Sequence, residues 1–301
     1  MNRNKQVVLA SLPEGALSVS HFKTHDAAMP QPQPGELLCR TLLLSLDPAN
    51  RAWMNGPTYR SQLSPGDVMS GFTLSEVLDA NGTDVPEGAI VACNAGWQEF
   101  AAIPASDARV IRRGNEPLTH HLSILGITGL TAYFGLFDIG RPTPGDTVVV
   151  SAASGATGNV VGQLARLAGA RVVGITGSDT KNDVLTEKLG FDAAVNRRSA
   201  TFWKDLQSAC PDGVDVYFDN VGGEMLDRML RLMNLHGRVV CCGAVSTYDD
   251  PTHTRARSGI GFSVAKRLTL TGFIVLDHIQ RWPDAERRLA QMVREGKVTV
   301  L

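Results

Sequence analysis

The chain has little of what several function classes are built from. Its five cysteines, Cys39, Cys93, Cys210, Cys241 and Cys242, are odd in number and form no CxxC pair, so neither a disulfide framework nor a four-cysteine zinc lobe is indicated. Seven histidines are scattered without His-x-His or HExxH spacing. A metal hydrolase therefore has little support and no metal is expected; His120 and His121 read as a cap or a surface pair. No uninterrupted apolar run is long enough to span a bilayer, and the opening MNRNKQVVLA lacks the apolar core of a signal peptide. Nor is there an excess of charge: 29 Lys and Arg stand against 30 Asp and Glu, which implies no general attraction to nucleic acid or to an acidic membrane. The expectation is a cytoplasmic protein with no nucleic-acid or membrane partner.

What is present is more specific. From Gly145 to Ser178 the chain reads as strand, glycine turn, helix and second strand in one unbroken unit. Thr147 to Val150 is a β-branched run without alternation, which suits a strand covered on both faces of a parallel sheet. The turn Ala152-Ala153-Ser154-Gly155-Ala156-Thr157-Gly158 follows, with small residues where the backbone must bend sharply and admit a pyrophosphate to the helix N-terminus. Its spacing is AxxGxxG rather than GxGxxG, with Ala152 in the place of the first glycine. Val160, Val161, Leu164, Ala165 and Ala168 share one helix side, which should lie on the sheet.

A dinucleotide site for NAD usually has an acidic side chain about 20 residues after the first turn, on the ribose hydroxyls. Here the second strand ends in Thr176-Gly177-Ser178. A carboxylate at that tip would repel a 2′-phosphate; a glycine leaves room for one, and Ser178 and Lys181 can donate to it. The cofactor is therefore expected to be NADPH/NADP. Arg197, with Arg198, lies at the tip of the next short strand, Asp192 to Val195, and either completes a cationic pocket or is an ordinary solvated pair.

At 301 residues, with 43% hydrophobic content and 10 Phe, the chain can fill two cores. Residues 1 to about 120 carry β-like runs at Gln6–Ala10, Gly35–Leu46, Ala89–Cys93 and Phe100–Ile103, separated by Pro-Gly and Asn-Gly turns, and read as an irregular, mostly β domain. Leu122 to Phe137 reads as a helix joining two lobes. A βα pattern continues from there: strand Val214–Asp219, helix Glu224–Met233, a strand from Gly237 to Cys241-Cys242, strand Leu268–Leu276 and helix Trp282–Gly296. Adjacent cysteines in a strand face opposite sides, which argues against a shared metal. The fold class is α/β, a doubly wound parallel sheet of the Rossmann type with a second, mostly β domain.

At this point the chain resembles the zinc-independent medium-chain dehydrogenase/reductase superfamily, and within it the branch of leukotriene B4 12-hydroxydehydrogenase, the prostaglandin and alkenal reductases and bacterial curcumin reductase. The shared strings include LSLDPANRAWM (44–54), ILGITGLTAYFGL (124–136), the glycine-turn segment, VDVYFDNVGGE (214–224), GRVVCCGAVSTY (237–248) and LTGFIV (270–275). The resemblance implies a GroES-like substrate domain over 1–120 and a Rossmann NADP-binding domain over 121–297, usually in a homodimer. Residues 298–301 would begin a segment that in the family returns to the first domain, and the return is expected to be truncated. Carried over motif by motif, Gly155, Ala156, Thr157 and Gly158 would bind the pyrophosphate and Lys181 the 2′-phosphate, with Arg197 where the family usually has a tyrosine. Asn220 would bond near the ribose. Cys242, Gly243, Ala244, Val245, Ser246, Thr247 and Tyr248 would line the cofactor, and Phe273, Ile274 and Val275 would flank the nicotinamide.

The implied reaction is reduction of the carbon-carbon double bond of a small apolar α,β-unsaturated ketone or aldehyde, with hydride going to the β carbon. A donor at the carbonyl oxygen would stabilise the enolate charge that develops there. Tyr59, in the loop after the DPxxR-like string, is the first candidate; Tyr248, just after the strand ending near Gly243, is the second, and each is otherwise a loop aromatic. A quinone reductase and a catalytically weak NADP-binding structural or sensor protein remain as alternatives. A zinc alcohol dehydrogenase would need partners that Cys39 and Cys93 lack.

Overall fold

Val148, Val149 and Val150 are all fully buried, because the strand that holds them is covered on both faces. The computed structural model, which describes residues 3–56, 58–112, 114–249 and 260–301, divides into two units, Met1–Leu122 with Tyr248–Thr252, and Ser123–Thr247 with His253–Leu301.

In the first unit β1 (Arg3–Leu9) pairs antiparallel with β2 (Phe22–Ala28). A five-stranded antiparallel sheet is built from β3 (Glu36–Leu44), β4 (Thr73–Asp79), β5 (Ile90–Cys93), β6 (Phe100–Pro104) and β7 (Arg109–Val110), in the order β6-β3-β4-β5-β7. Its core is Leu37, Cys39, Val77, Val91, Cys93, Ala101 and Ile103. Helix α1 (Pro48–Asn55) starts at Asp47, with Pro48 in the first turn where no N–H is needed, and buries Trp53 and Met54. The sequence reading missed β2 and β4: the exposed Lys23, Thr24, His25 and Asp26 of β2 show no apolar alternation.

The second unit opens with α2 (Ile127–Phe134), continued by a π-helical turn over Gly135–Gly140. Then come β8 (Thr147–Val150), α3 (Ala156–Leu167), β9 (Arg171–Thr176), α4 (Asp179–Asp183), β10 (Ala193–Asn196), α5 (Phe202–Ala209), β11 (Val214–Asp219), α6 (Gly223–Met229), β12 (Met233–Cys241), α7 (Ile260–Lys266), β13 (Thr269–Gly272) and α8 (Trp282–Arg294). All strand pairs are parallel, in the order β10-β9-β8-β11-β12-β13. This is the doubly wound arrangement, with its switch point between β8 and β11. Period-two alternation sends Val148, Val150, Val172, Val216, Phe218 and Val240 to one face, packed with residues of α2, α3 and α8, and Val149, Val173, Tyr217 and Val239 to the other, packed with residues of α5 and α6.

Several expectations need correction. The single helix over Leu122–Phe137 is a 3-10 turn at Leu118–Leu122, then α2; Gly126, extended at φ −111°, separates them. The helix from Glu224 stops at Met229, because Met233 already belongs to β12. The last strand ends at Gly272, and Val275–Arg281 turn as a 3-10 helix. His121 is not a surface residue: it is buried, with Nε2 3.2 Å from Glu116 Oε1. Cys241 and Cys242 do face opposite sides, Cys241 packing with the α5/α6 cluster and Cys242 with the α2/α3/α8 cluster.

Candidate active site

The turn after β8 is shaped by close approach. Ala152 adopts φ +48°, the left-handed region that a glycine would enter without strain, and its carbonyl accepts from Gly155 N–H at 2.9 Å. A Cβ on Gly158 would lie 2.5 Å from that carbonyl and 2.9 Å from Ala153 Cα, so only glycine lets α3 pack this tightly on the strand end. The first helical bond runs from Asn159 N–H to Gly155 O. That leaves the N–H groups of Ala156, Thr157 and Gly158 directed out of the helix N-terminus, the donors an anion would use.

At the end of β9, Ser178 caps α4 by accepting from Lys181 N–H at 3.4 Å. The hydroxyl hydrogen of Ser178 stays available to donate, and the Lys181 side chain is exposed. A Cβ on Gly177 would sit 3.9 Å from Nε of both Arg197 and Arg198, so two guanidiniums flank the bare strand tip. The nearby Asp179 carboxylate is engaged by the Asn196 amide at 3.0 Å. A 2′-phosphate fits this corner: it offers cations and a hydroxyl around a position without a side chain.

The switch point carries a group that the sequence reading passed over. Asp219, at the end of β11, is 1% exposed. Its Oδ1 accepts from Tyr217 Oη at 2.8 Å, Val221 N–H at 3.0 Å, Gly222 N–H at 3.1 Å and Ser151 Oγ at 3.2 Å. Burial, with the Asp219 carboxylate beside it, pushes the Tyr217 phenol well above its ordinary value. This network fixes the turn that presents Asn220, whose N–H donates to Ser151 Oγ at 2.8 Å and whose amide donates to Ser151 O at 2.7 Å. The side-chain Oδ1 of Asn220 is therefore left as an acceptor at the end of β11. A polar residue closing an otherwise apolar strand, as in VDVYFD, is the signal from which Asp219 could have been found.

The segment Cys242–Thr247 is laced to the same turn. Cys242 and Gly243 N–H donate to Asp219 O at 2.9 and 3.1 Å, Val245 N–H to Asn220 O at 3.4 Å, and Ser246 N–H and Oγ to Val221 O at 3.1 and 2.6 Å. Ala244 O accepts from both Thr247 N–H and Oγ. Burial pushes the Cys242 thiol up to about 12, so it packs as a neutral group. The second unit thus brings Gly155–Gly158, Ser178, Lys181, Arg197, Asn220 and 242–247 to the carboxyl edge of one sheet, where open parallel sheets bind ligands. Phe273 and Ile274 stay partly exposed. Val275 does not: it is core, and its carbonyl accepts from the Trp282 indole at 3.2 Å.

Both candidate tyrosines belong to the first unit and are tied to α1. Trp53 Nε1 donates to Tyr59 Oη at 3.3 Å, with the rings edge to face at 6.4 Å, and Tyr59 is 49% exposed. Because Oη accepts there, its own proton is free to be donated elsewhere. Tyr248 is separated from 242–247 by the division into units; its carbonyl accepts from Asn55 Nδ2 at 2.7 Å, and the neighbouring Asp249 pairs with Arg51 at 3.2 Å. Among the described residues no group of three or more His, Cys, Asp or Glu is placed to hold a metal ion, and no helix is long and apolar enough to cross a membrane.

A parallel sheet in this order, in one chain with a GroES-like antiparallel sheet, is the architecture of the medium-chain dehydrogenases/reductases. Two family profiles match the chain, "N-terminal domain of oxidoreductase" over residues 5–111 and "Zinc-binding dehydrogenase" over residues 156–291. The chain is 42% identical to the putative NADP-dependent oxidoreductase YfmJ of Bacillus subtilis and 38% identical to the NADPH-dependent curcumin reductase of Escherichia coli, in each case over 98% of this chain and 88% of the relative. The crystal structure of CurA from Vibrio vulnificus is similar with a TM-score of 0.93 at 35% identity, over 99% of this chain and 90% of that one. The chain belongs to the zinc-independent medium-chain dehydrogenase/reductase superfamily, in its curcumin-reductase-like branch of alkenal and enone reductases.

Proposed function

We propose that the protein is an NADPH-dependent oxidoreductase that reduces the carbon-carbon double bond of α,β-unsaturated ketones or aldehydes. The observation that carries the cofactor choice is the β9 tip, where Gly177 is flanked by Arg197 and Arg198 and Ser178 keeps a donor; membership of the branch carries the reaction type. When bound, NADPH supplies the hydride that goes to the carbon β to the carbonyl. The chain's own part is to hold and to polarise. The N–H groups of Ala156 to Gly158 receive the pyrophosphate, Lys181, Arg197 and Ser178 the 2′-phosphate, and Asn220 Oδ1 a ribose hydroxyl, while 242–247 and Phe273 with Ile274 line the rest.

Tyr59 is the donor we assign to the carbonyl oxygen, since its hydroxyl is oriented by Trp53 with the proton unspent. Charge that grows on that oxygen as the β carbon is reduced is stabilised by such a bond more than the ground state is. Tyr248 is the second candidate. Free thiols throughout suit a reducing, cytoplasmic compartment, and a homodimer is the assembly we expect. The test is NADPH oxidation against a panel of small enones, enals and quinones with product analysis. Saturated ketone or aldehyde is the expected product. Allylic alcohol, turnover of quinones alone, or NADPH binding without turnover of any of them would overturn the reading.

A further inference from the structure

Phe273 and Ile274, placed beside the nicotinamide by the proposed function, form a two-residue span pinned at both ends. On one side β13 pairs with β12 as far as Gly272, opposite Cys241. On the other, Val275 is buried and offers its carbonyl to the Trp282 indole. Between these points the seat of the Phe273 ring decides the path of the span. The ring tip rests on Gly135, where a Cβ would come within 2.7 Å of Phe273 Cζ and 2.8 Å of Phe218 Cε2. The His278 imidazole stands edge-on to the same ring, with centroids 6.5 Å apart at 65°.

His278 is itself held on two sides. It stacks on buried Phe134, with centroids 4.6 Å apart and planes 9° from parallel, and its Nδ1 lies 3.5 Å from Asp138 Oδ2. Arg281 donates to both oxygens of that carboxylate. Gly135 and Asp138 belong to one feature, the π-helical turn Gly135–Gly140 that continues α2. Such turns are rare and are frequently found at functional sites. Here the turn supplies both the gap that admits Phe273 and the carboxylate that meets His278. An aromatic serving the core alone would lie fully inside, as Phe134 and Phe218 do; Phe273 stays partly exposed at the carboxyl edge of the sheet. We propose that Gly135 and His278 are positioning residues for the nicotinamide end of the cofactor, acting through Phe273. This inference rests on the reading of Phe273 and Ile274 as the residues that flank the nicotinamide.

The test compares, by calorimetry on the full chain, the Kd of NADPH with that of 2′,5′-ADP, which keeps the 2′-phosphate and lacks the nicotinamide. His278→Ala should weaken NADPH by about threefold to tenfold, the scale of one aromatic pair, and leave 2′,5′-ADP unchanged. His278→Phe keeps the stacked ring and gives up Asp138, so it should restore most of the loss. Gly135→Ala should act like His278→Ala by displacing the Phe273 ring; should it not fold, the two His278 variants carry the test. Single-turnover hydride transfer from saturating NADPH to an enone should slow in His278→Ala and recover in His278→Phe. Equal losses for both ligands, no loss of NADPH affinity, an unchanged transfer rate, or no recovery with His278→Phe overturns the inference while leaving the reductase reading intact. If the wild type transfers hydride to no enone or enal, the reductase reading fails, and the comparison of the two ligands still decides the role of His278.

Discussion

At the scale of single residues, charge placement separates the roles of otherwise similar side chains. Lys181 makes no ion pair among those described, and its backbone is held by Ser178, so its ammonium is available to a 2′-phosphate. Lys181→Ala should raise KM for NADPH about tenfold, the value of one charge-assisted contact, while KM for NADH barely moves; equal losses with both cofactors would remove Lys181 from the phosphate. Tyr59→Phe deletes the donated proton and the acceptor of the Trp53 Nε1–H, while the edge-to-face packing on Trp53 is retained. The expected outcome is a fall in kcat/KM for an enone with unchanged Kd for NADPH, measured by stopped-flow and by titration. His121 gives a pH-dependent stability. Burial lowers its pKa below the ordinary 6.5, against the opposing pull of Glu116. Glu116 is itself held below 4.5, first by its backbone hydrogen bond. For a depressed histidine the unfolded chain takes up the proton first, so stability is complete above about 6.5 and lost as pH falls below it; Glu116 adds loss of the same sign at lower pH. The melting midpoint should therefore fall from pH 7.5 to 5.5 less steeply in His121→Gln than in the wild type, and parallel curves would refute this.

At the scale of elements, two glycines on α3 do different things. A Cβ at Gly158 meets backbone, the Ala152 carbonyl and Ala153 Cα, which cannot swing away. A Cβ at Gly162 would overlap the ring of Phe191, which is 4% exposed and has little room to move. Each alanine substitution should cost about 1–3 kcal/mol by overpacking. Only Gly158→Ala should also raise KM, and for NADPH and NADH alike, because it displaces the N–H groups that meet the shared pyrophosphate. The elements that sequence made legible are those with an unambiguous period or turn. The continuous valines of β8, the one-sided α3 and VDVYFD each lie within a residue or two of their expected ends. What escaped was decided by packing rather than pattern. The strand expected to reach Leu276 stops at Gly272 because Val275 turns into the core and offers its carbonyl to Trp282. Asp219 was invisible as a site residue because a single Asp after an apolar strand reads as a turn, until Tyr217, Ser151 and the Gly222 N–H are seen around it.

At the scale of the molecule, the candidate cofactor residues come from six separate stretches of sequence, the ends of β8, β9, β10, β11, β12 and β13, and hold their places only while the sheet is whole. A ligand that bridges them stabilises the folded state by mass action. At about 100 times Kd the gain is roughly 2.7 kcal/mol, and at about 2–4 °C per kcal/mol for a unit of this size NADPH should raise the melting midpoint by roughly 5–10 °C. NADH offers the same pyrophosphate and riboses but no 2′-phosphate for Lys181, Arg197 and Ser178. With affinity about tenfold weaker, its gain at the same concentration is roughly 1.4 kcal/mol, which halves the shift. Inorganic pyrophosphate, which engages one of those strand ends and not the rest, should give less than either. Calorimetry of the three additions at matched concentration reads the order directly. A shift with NADH equal to or larger than that with NADPH would mean that the guanidiniums at the β9 tip do not meet a phosphate, and the cofactor assignment would have to be abandoned.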